Sequence, residues 1–412
     1  MIKFKKFSAV NGLRVIVHQD ITTPMVAMNT LYSAGSRFEH PDRTGLAHLL
    51  EHLMFSGSLN IPDFDSPLQL AGGENNAYTN NDIADFYNYI PSGNIETAFW
   101  LESDRMLSPG FSETSLDVQK KVVIEEYKQR YLNQPYGDVM LLLRPVAYEI
   151  HPYRWPTIGM DISHLEKITL DDVKAFFMSR YSPDNAILSL AGNIDPDDAI
   201  ELVNKWFGDI PMRSIPAPVL PAEPEQKSKR IISVERNVPS DLLYKAWHVC
   251  GRSDDDFRIL DLMTDILSGG ESGRLHEILV REKKLFSEVN AYLSGDIEPG
   301  LLLFYGKPMA GVDIYKAEAE ADIVINRLRN ELPAEREMEK VKNRFESTTL
   351  MSNLSVLDKA VNLCNFELLG DAGLINSQVD SFRNVTPSQV TQAARKYLSE
   401  DNCTTLYYRS VK

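Results

Sequence analysis

Alternating apolar and polar positions predict two early strands, GLRVIVHQ (Gly12–Gln19) and MVAMNTLYSAG (Met25–Gly35). The period then lengthens. TGLAHLLEHLMFSGS (Thr44–Ser58) has Leu46, Leu49, Leu50, Leu53 and Met54 at the spacing of a buried helical face. NAYTNNDIADFYNYI (Asn76–Ile90) returns to extended character, and an amphipathic helix at Leu170–Ser179 precedes the apolar strand AILSLAG. The stretch Pro211–Arg230 holds five prolines and no apolar period, which marks an extended linker.

Beyond the linker the same order recurs. RIISVE (Arg230–Glu235) and LLYKAWHVCG (Leu242–Gly251) read as strands, and FRILDLMTDIL (Phe257–Leu267) as a helix. NAYLSGDIEPGLLLFYG (Asn290–Gly306) echoes the Asn76 stretch, and a helix at Pro387–Leu398 precedes CTTLYY. The pattern predicts an α+β protein of two tandem homologous domains, each a mostly antiparallel sheet with helices packed on one face. The expected boundaries are 1–213 and 230–412, joined by a linker at 214–229.

The repeat supplies an internal comparison. Aligning the SGS that ends the first helix with the SGG that ends its counterpart puts Leu260, Met263 and Thr264 opposite His48, Glu51 and His52. The fold therefore keeps a helix here without the polar triplet, so His48, Glu51 and His52 are an addition to the scaffold. Residues at i and i+4 share a helix face about 6 Å apart. His48 and His52 can thus aim two imidazole nitrogens at one zinc ion, with Glu51 beside it. A catalytic zinc needs a third protein ligand, commonly a carboxylate. VQKKVVIEEYKQRYLNQPYG (Val118–Gly137) offers Glu125 and Glu126 among the apolar Val122, Val123, Ile124 and Tyr127. His18, His40, His151, His164, His248 and His276 lack ligand spacing.

Composition narrows the function classes. The 412 residues are 43% hydrophobic and 25% charged, as in globular proteins, and no apolar run predicts a membrane span. A net charge of −15 disfavours nucleic acid as a partner. Cys250, Cys364 and Cys403 are too few and too scattered for a disulfide framework or a thiolate zinc site. The N-terminal MIKFKKFSAVNGLRVIVHQD lacks the features of a signal peptide, from which a cytoplasmic location is expected.

Together the His-x-x-Glu-His motif, Gly45, the Asn-Ala-Tyr-Thr stretch, VVIEEY, HPYRWPTIG (His151–Gly159), RYSPDNAILSLAGNID (Arg180–Asp195) and the degenerate second half resemble the pitrilysin/insulinase family of inverzincins. The likeness spans nearly the whole chain and is greatest to short members similar to mitochondrial processing peptidase subunits. It implies a zinc endopeptidase, one Zn2+ per chain, with each chain half of a clamshell enclosing peptides or unfolded segments. It implies His48, His52 and Glu126 as ligands, with Glu125 as the rival third ligand, and Glu51 activating a zinc-bound water. Gln119 stands where the family often has a supporting Glu. Asn76, Ala77 and Tyr78 match the edge strand that pairs with substrate. Arg281 matches one member of an Arg/Tyr pair that grips the substrate carbonyl, whereas Glu288 occupies the tyrosine position. A dimer with a zinc-free homologous subunit that supplies the Arg/Tyr pair is therefore expected. The alternative is a zinc-binding but inactive assembly or core subunit.

Overall fold

In the computed structural model, residues 1–215 and 219–411 are described; three positions of the expected linker, 216–218, lie outside them. Among the described residues, eleven strands form two sheets: β1 (Lys5–Ser8), β2 (Arg14–Gln19), β3 (Met25–Tyr32), β4 (Glu74–Thr79), β5 (Ala84–Pro91) and β6 (Ala186–Gly192), then β7 (Arg230–Arg236), β8 (Leu242–His248), β9 (Phe286–Leu293), β10 (Leu301–Pro308) and β11 (Cys403–Ser410). The first sheet runs β1-β2-β6-β3-β5-β4 and the second β7-β11-β8-β10-β9. Apart from β1, the two orders correspond strand for strand. The single parallel pairing also recurs, as β2 with β6 and as β7 with β11. The duplication read from the hydrophobic pattern is thus a duplication of topology.

Two compact units carry these sheets, and they do not follow the chain as the consecutive pieces 1–213 and 230–412. One comprises Met1–Lys128, Trp155–Leu220 and Leu350–Ser377; the other comprises Gln129–Arg154, Pro221–Thr349 and Gln378–Lys412. Each half of the sequence lends one helix to the other half's sheet. The helix Val356–Leu368 lies on β3 and β6, where Ala360 packs against Ala27 and Ala191, and Leu363 joins Ile16, Leu31 and Ile187. The helix Val139–Ala147 covers the second sheet through Val139, Leu143 and Ala147 against Leu242, Ala246 and Leu406. On β8, Leu243 and Trp247 point into a separate core with the helix Asp255–Ser268. The second sheet is therefore apolar on both faces, which a sheet can be only where both are covered. The expected helical layer on one face has a lone helix opposite it.

Four strands are sheet edges, and their sequences differ in a way that matters. β1 carries Lys5 and Lys6, and β7 carries Arg230 and Arg236, charges that discourage pairing with another backbone. β4, ENNAYT, and β9, FSEVNAYL, have no cation. Among the described residues no helix is long and apolar enough to cross a membrane.

Candidate metal centre

The metal motif sits on the helix Leu46–Met54, which begins abruptly. Its N-cap is Gly45, at φ 91°, a left-handed conformation that favours glycine. A Cβ there would come within 2.7 Å of the Ile158 carbonyl oxygen and of Leu165. HPYRWPTIG explains the crowding, because Gly159 crosses directly over Gly45. Thr44, an apparent capping residue by its chemistry, is used elsewhere: its Oγ1 accepts from the Met160 amide at 2.8 Å and meets His164 Nδ1 at 2.8 Å. Trp155 donates its indole N–H to the Ser36 carbonyl at 3.0 Å. Gly45→Ala is expected to lower folding stability by roughly 1–3 kcal/mol through backbone strain alone. Thermal unfolding of the metal-free protein checks this, and an unchanged Tm would mean that the crossing relaxes.

With its start so constrained, the helix buries Leu46, Leu49, Leu50, Leu53 and Met54, and turns His48 and His52 toward the helix Glu113–Tyr127. That second helix starts with a reciprocal cap between Ser112 and Ser115. It is seated by Val123 and Tyr127, both buried one turn apart, and by a 3.1 Å bond from the Tyr127 hydroxyl to the Met160 carbonyl. This rotation brings Glu126 inward. Its Oε2 lies 3.8 Å from His48 Nε2 and 3.5 Å from His52 Nε2, and the two imidazole Nε2 atoms are 3.3 Å apart. Glu125 points away and pairs with Lys128 at 2.6 Å.

These separations test the fit of zinc. Bonds of about 2.0–2.2 Å in a tetrahedron put ligand atoms roughly 3.3–3.6 Å apart. The observed triangle of 3.3, 3.5 and 3.8 Å is close to that, and its donors, two imidazoles and a carboxylate, are those of a catalytic zinc site. Among the described residues it is the only cluster of three or more His, Cys, Asp or Glu side chains close enough to share an ion.

Glu51 lies on the same helix, outside this triangle. Burial raises its pKa, while Thr79 at the end of β4 and the His52 ring act in the opposite direction. Its Oε2 is buried with no hydrogen-bond partner among the described residues. Gln119 donates to Ser56 Oγ at 3.3 Å, tying the glutamate helix to the turn that follows the histidine helix.

The other sequence-predicted residues are not among the side chains of the triangle. Asn76, Ala77 and Tyr78 are on β4, which pairs only with β5. The Ala77 amide donates to the side chain of Asn76 at 2.9 Å, and Ala291 does the same with Asn290 on β9. The repeated Asn-Ala-Tyr is thus an edge strand whose asparagine satisfies the next amide. Tyr78 faces Asp85 across the β4–β5 ladder. Arg281 belongs to the other unit, in a π-helical segment (His276–Glu282), largely exposed and paired with Glu277 at 3.0 Å. Glu288 is engaged by Tyr305 at 2.8 Å and Lys307 at 2.7 Å, which hold its carboxyl below its ordinary pKa.

Sequence reasoning missed Glu39. Its carboxylate is buried and accepts the Gly45 amide at 3.0 Å and the Ala47 amide at 2.8 Å. Burial raises its pKa, and the amide donors pull in the opposite direction by favouring the ionised form. The available signal was negative: a helix with glycine at its N-cap and no side-chain cap of its own needs a carboxylate or hydroxyl from elsewhere.

Known proteins are similar to this chain in sequence and fold. Residues 14–159 match the family model described as insulinase, peptidase family M16, and residues 167–345 match the one described as the peptidase M16 inactive domain. The zinc protease PqqE of Helicobacter pylori is 26% identical over 99% of this chain and 93% of its own. The uncharacterized zinc protease YmxG of Bacillus subtilis is 26% identical over 96% of each chain. The crystal structure of a protease from Helicobacter pylori superposes with a TM-score of 0.94 at 25% identity, covering 99% of this chain and all of that one. The metal motif lies within the first match, and its degenerate echo at Phe257–Leu267 lies within the second. The chain belongs to the insulinase family of peptidases, family M16.

Proposed function

We propose that the protein is a zinc-dependent endopeptidase acting on peptides or unfolded segments. The observation that carries this reading is Glu51: a half-buried carboxylate whose buried Oε2 has no hydrogen-bond partner among the described residues, on the histidine helix but outside the ligand triangle. A site built only to store or display a metal has no use for such a group. His48, His52 and Glu126 would hold the ion. When bound, zinc supplies a Lewis acid for the scissile carbonyl and makes water acidic enough to be a nucleophile. Glu51 then accepts the proton of the attacking water and returns it to the departing amine, the two roles of one general acid–base. Extended substrate pairs with β4, an edge without a cation on the sheet beside the histidine helix, through main-chain bonds that tolerate varied side chains. To do so it displaces the Asn76 side chain from the Ala77 amide.

Arg281 has no tyrosine companion in this chain, and Glu288 is already occupied by Lys307 and Tyr305. A dimer with a zinc-free homologous subunit that supplies both an arginine and a tyrosine completes the carbonyl grip and closes the chamber. The same gap favours a second reading, a zinc-binding assembly subunit without activity. Both readings predict one zinc per chain, and only the first predicts cleavage. The expected result is hydrolysis of a peptide mixture, with or without a co-expressed homologous subunit, abolished by chelator and restored by added zinc. Stoichiometric zinc without cleavage in either arrangement would leave the assembly reading.

A further inference from the structure

We propose that Glu39 is a positioning residue for the metal: it fixes the first turn of the histidine helix so that His48 meets the ion. The inference rests on the zinc reading above and extends it to a residue outside the motif.

Glu39 is held firmly before it touches the helix. It follows the turn Ser36–Phe38, whose Arg37 forms a buried 2.8 Å ion pair with Asp82. The same turn is bonded to residues 80–82 by three backbone hydrogen bonds, from Gly35 to Asp82, Ser36 to Asn80 and Arg37 to Asn81, at 2.9–3.1 Å. From this base one carboxylate oxygen takes the Gly45 amide and the other takes the Ala47 amide. It thus spans the N-terminus as a fork, where a single capping side chain would make one bond. A fork resists rotation about the helix axis as well as withdrawal along it.

That matters because His48 is the next residue after Ala47. A ring nitrogen about 6 Å from the axis moves about 1 Å when the turn rotates by roughly 10°. Metal–ligand bonds tolerate departures of only about 0.2 Å. His52 is a full turn farther on, so the fork acts on it less directly. No substitute cap is at hand, because Thr44 is committed to Met160 and His164, and a side chain at Gly45 would strike the Ile158 carbonyl.

The test is zinc affinity of the full chain by competition with a chromophoric chelator, with the visible spectrum of the Co2+-substituted protein as a second readout. Glu39→Gln keeps the shape and one acceptor but sets an amide N–H against a backbone N–H. It is expected to weaken zinc roughly 10- to 100-fold, as loss of groups that orient metal ligands does, and to alter the Co2+ spectrum. Glu39→Asp, which withdraws the fork by one methylene but retains both oxygens, is expected to fall between it and the natural chain. Should Glu39→Gln fail to fold, Glu39→Asp carries the test alone. Zinc affinity within about twofold of the natural chain, with an unchanged Co2+ spectrum and only a lowered Tm, would overturn the proposal and reduce Glu39 to a stabilising cap. A natural chain that binds no zinc would overturn the metal reading itself, and this inference with it.

Discussion

Glu51→Gln is expected to leave zinc bound at one per chain while lowering kcat/KM for peptide hydrolysis by about 10²–10⁴, the range that a general acid–base contributes. The substitution is nearly isosteric, and Glu51 is not one of the three groups within reach of the ion. The Gln carboxamide can neither accept the proton of an attacking water nor return one to the amine. Elemental analysis and kinetics on one preparation separate the outcomes. Loss of both zinc and activity would mean that Glu51 supports the metal, and retention of both would remove its proposed role.

How far the sequence determines these features differs from one to the next. The strands were legible because period-two alternation is local. The duplication was legible because β2 and β3 recur as β7 and β8 with their helices in order. His48 and His52 needed only the geometry of one helical turn. The exchange of helices was not legible. Val139–Ala147 and Val356–Leu368 are apolar in themselves, but nothing local states which sheet they cover. Glu39 was hidden for the same reason, since its bonds to Gly45 and Ala47 depend on a turn held by residues 80–82. The apolar character of Val118–Tyr127 overstated burial: Val123 and Tyr127 are buried, while Val118 and Val122 stay exposed at 50% and 45%.

That rotation decides the other large effect. Glu126→Gln is expected to weaken zinc by more than the roughly 10–100-fold that loss of a merely orienting group costs, while Glu125→Gln leaves affinity unchanged. Adjacent helical residues diverge by 100°, so only one of the pair can face the histidines. Val123 and Tyr127 fix which one, because both must stay buried and the Tyr127 hydroxyl must reach Met160. Glu125 is left in solvent with Lys128, an exposed pair worth little. Glu126→Gln keeps a neutral oxygen near the imidazoles but removes the negative charge that offsets the ion, and a neutral amide is a poor zinc ligand. Chelator competition on the two variants side by side gives the answer. Equal affinities would show that the glutamate helix turns when metal binds, and that the 3.5 Å and 3.8 Å contacts of Glu126 belong to the metal-free chain alone.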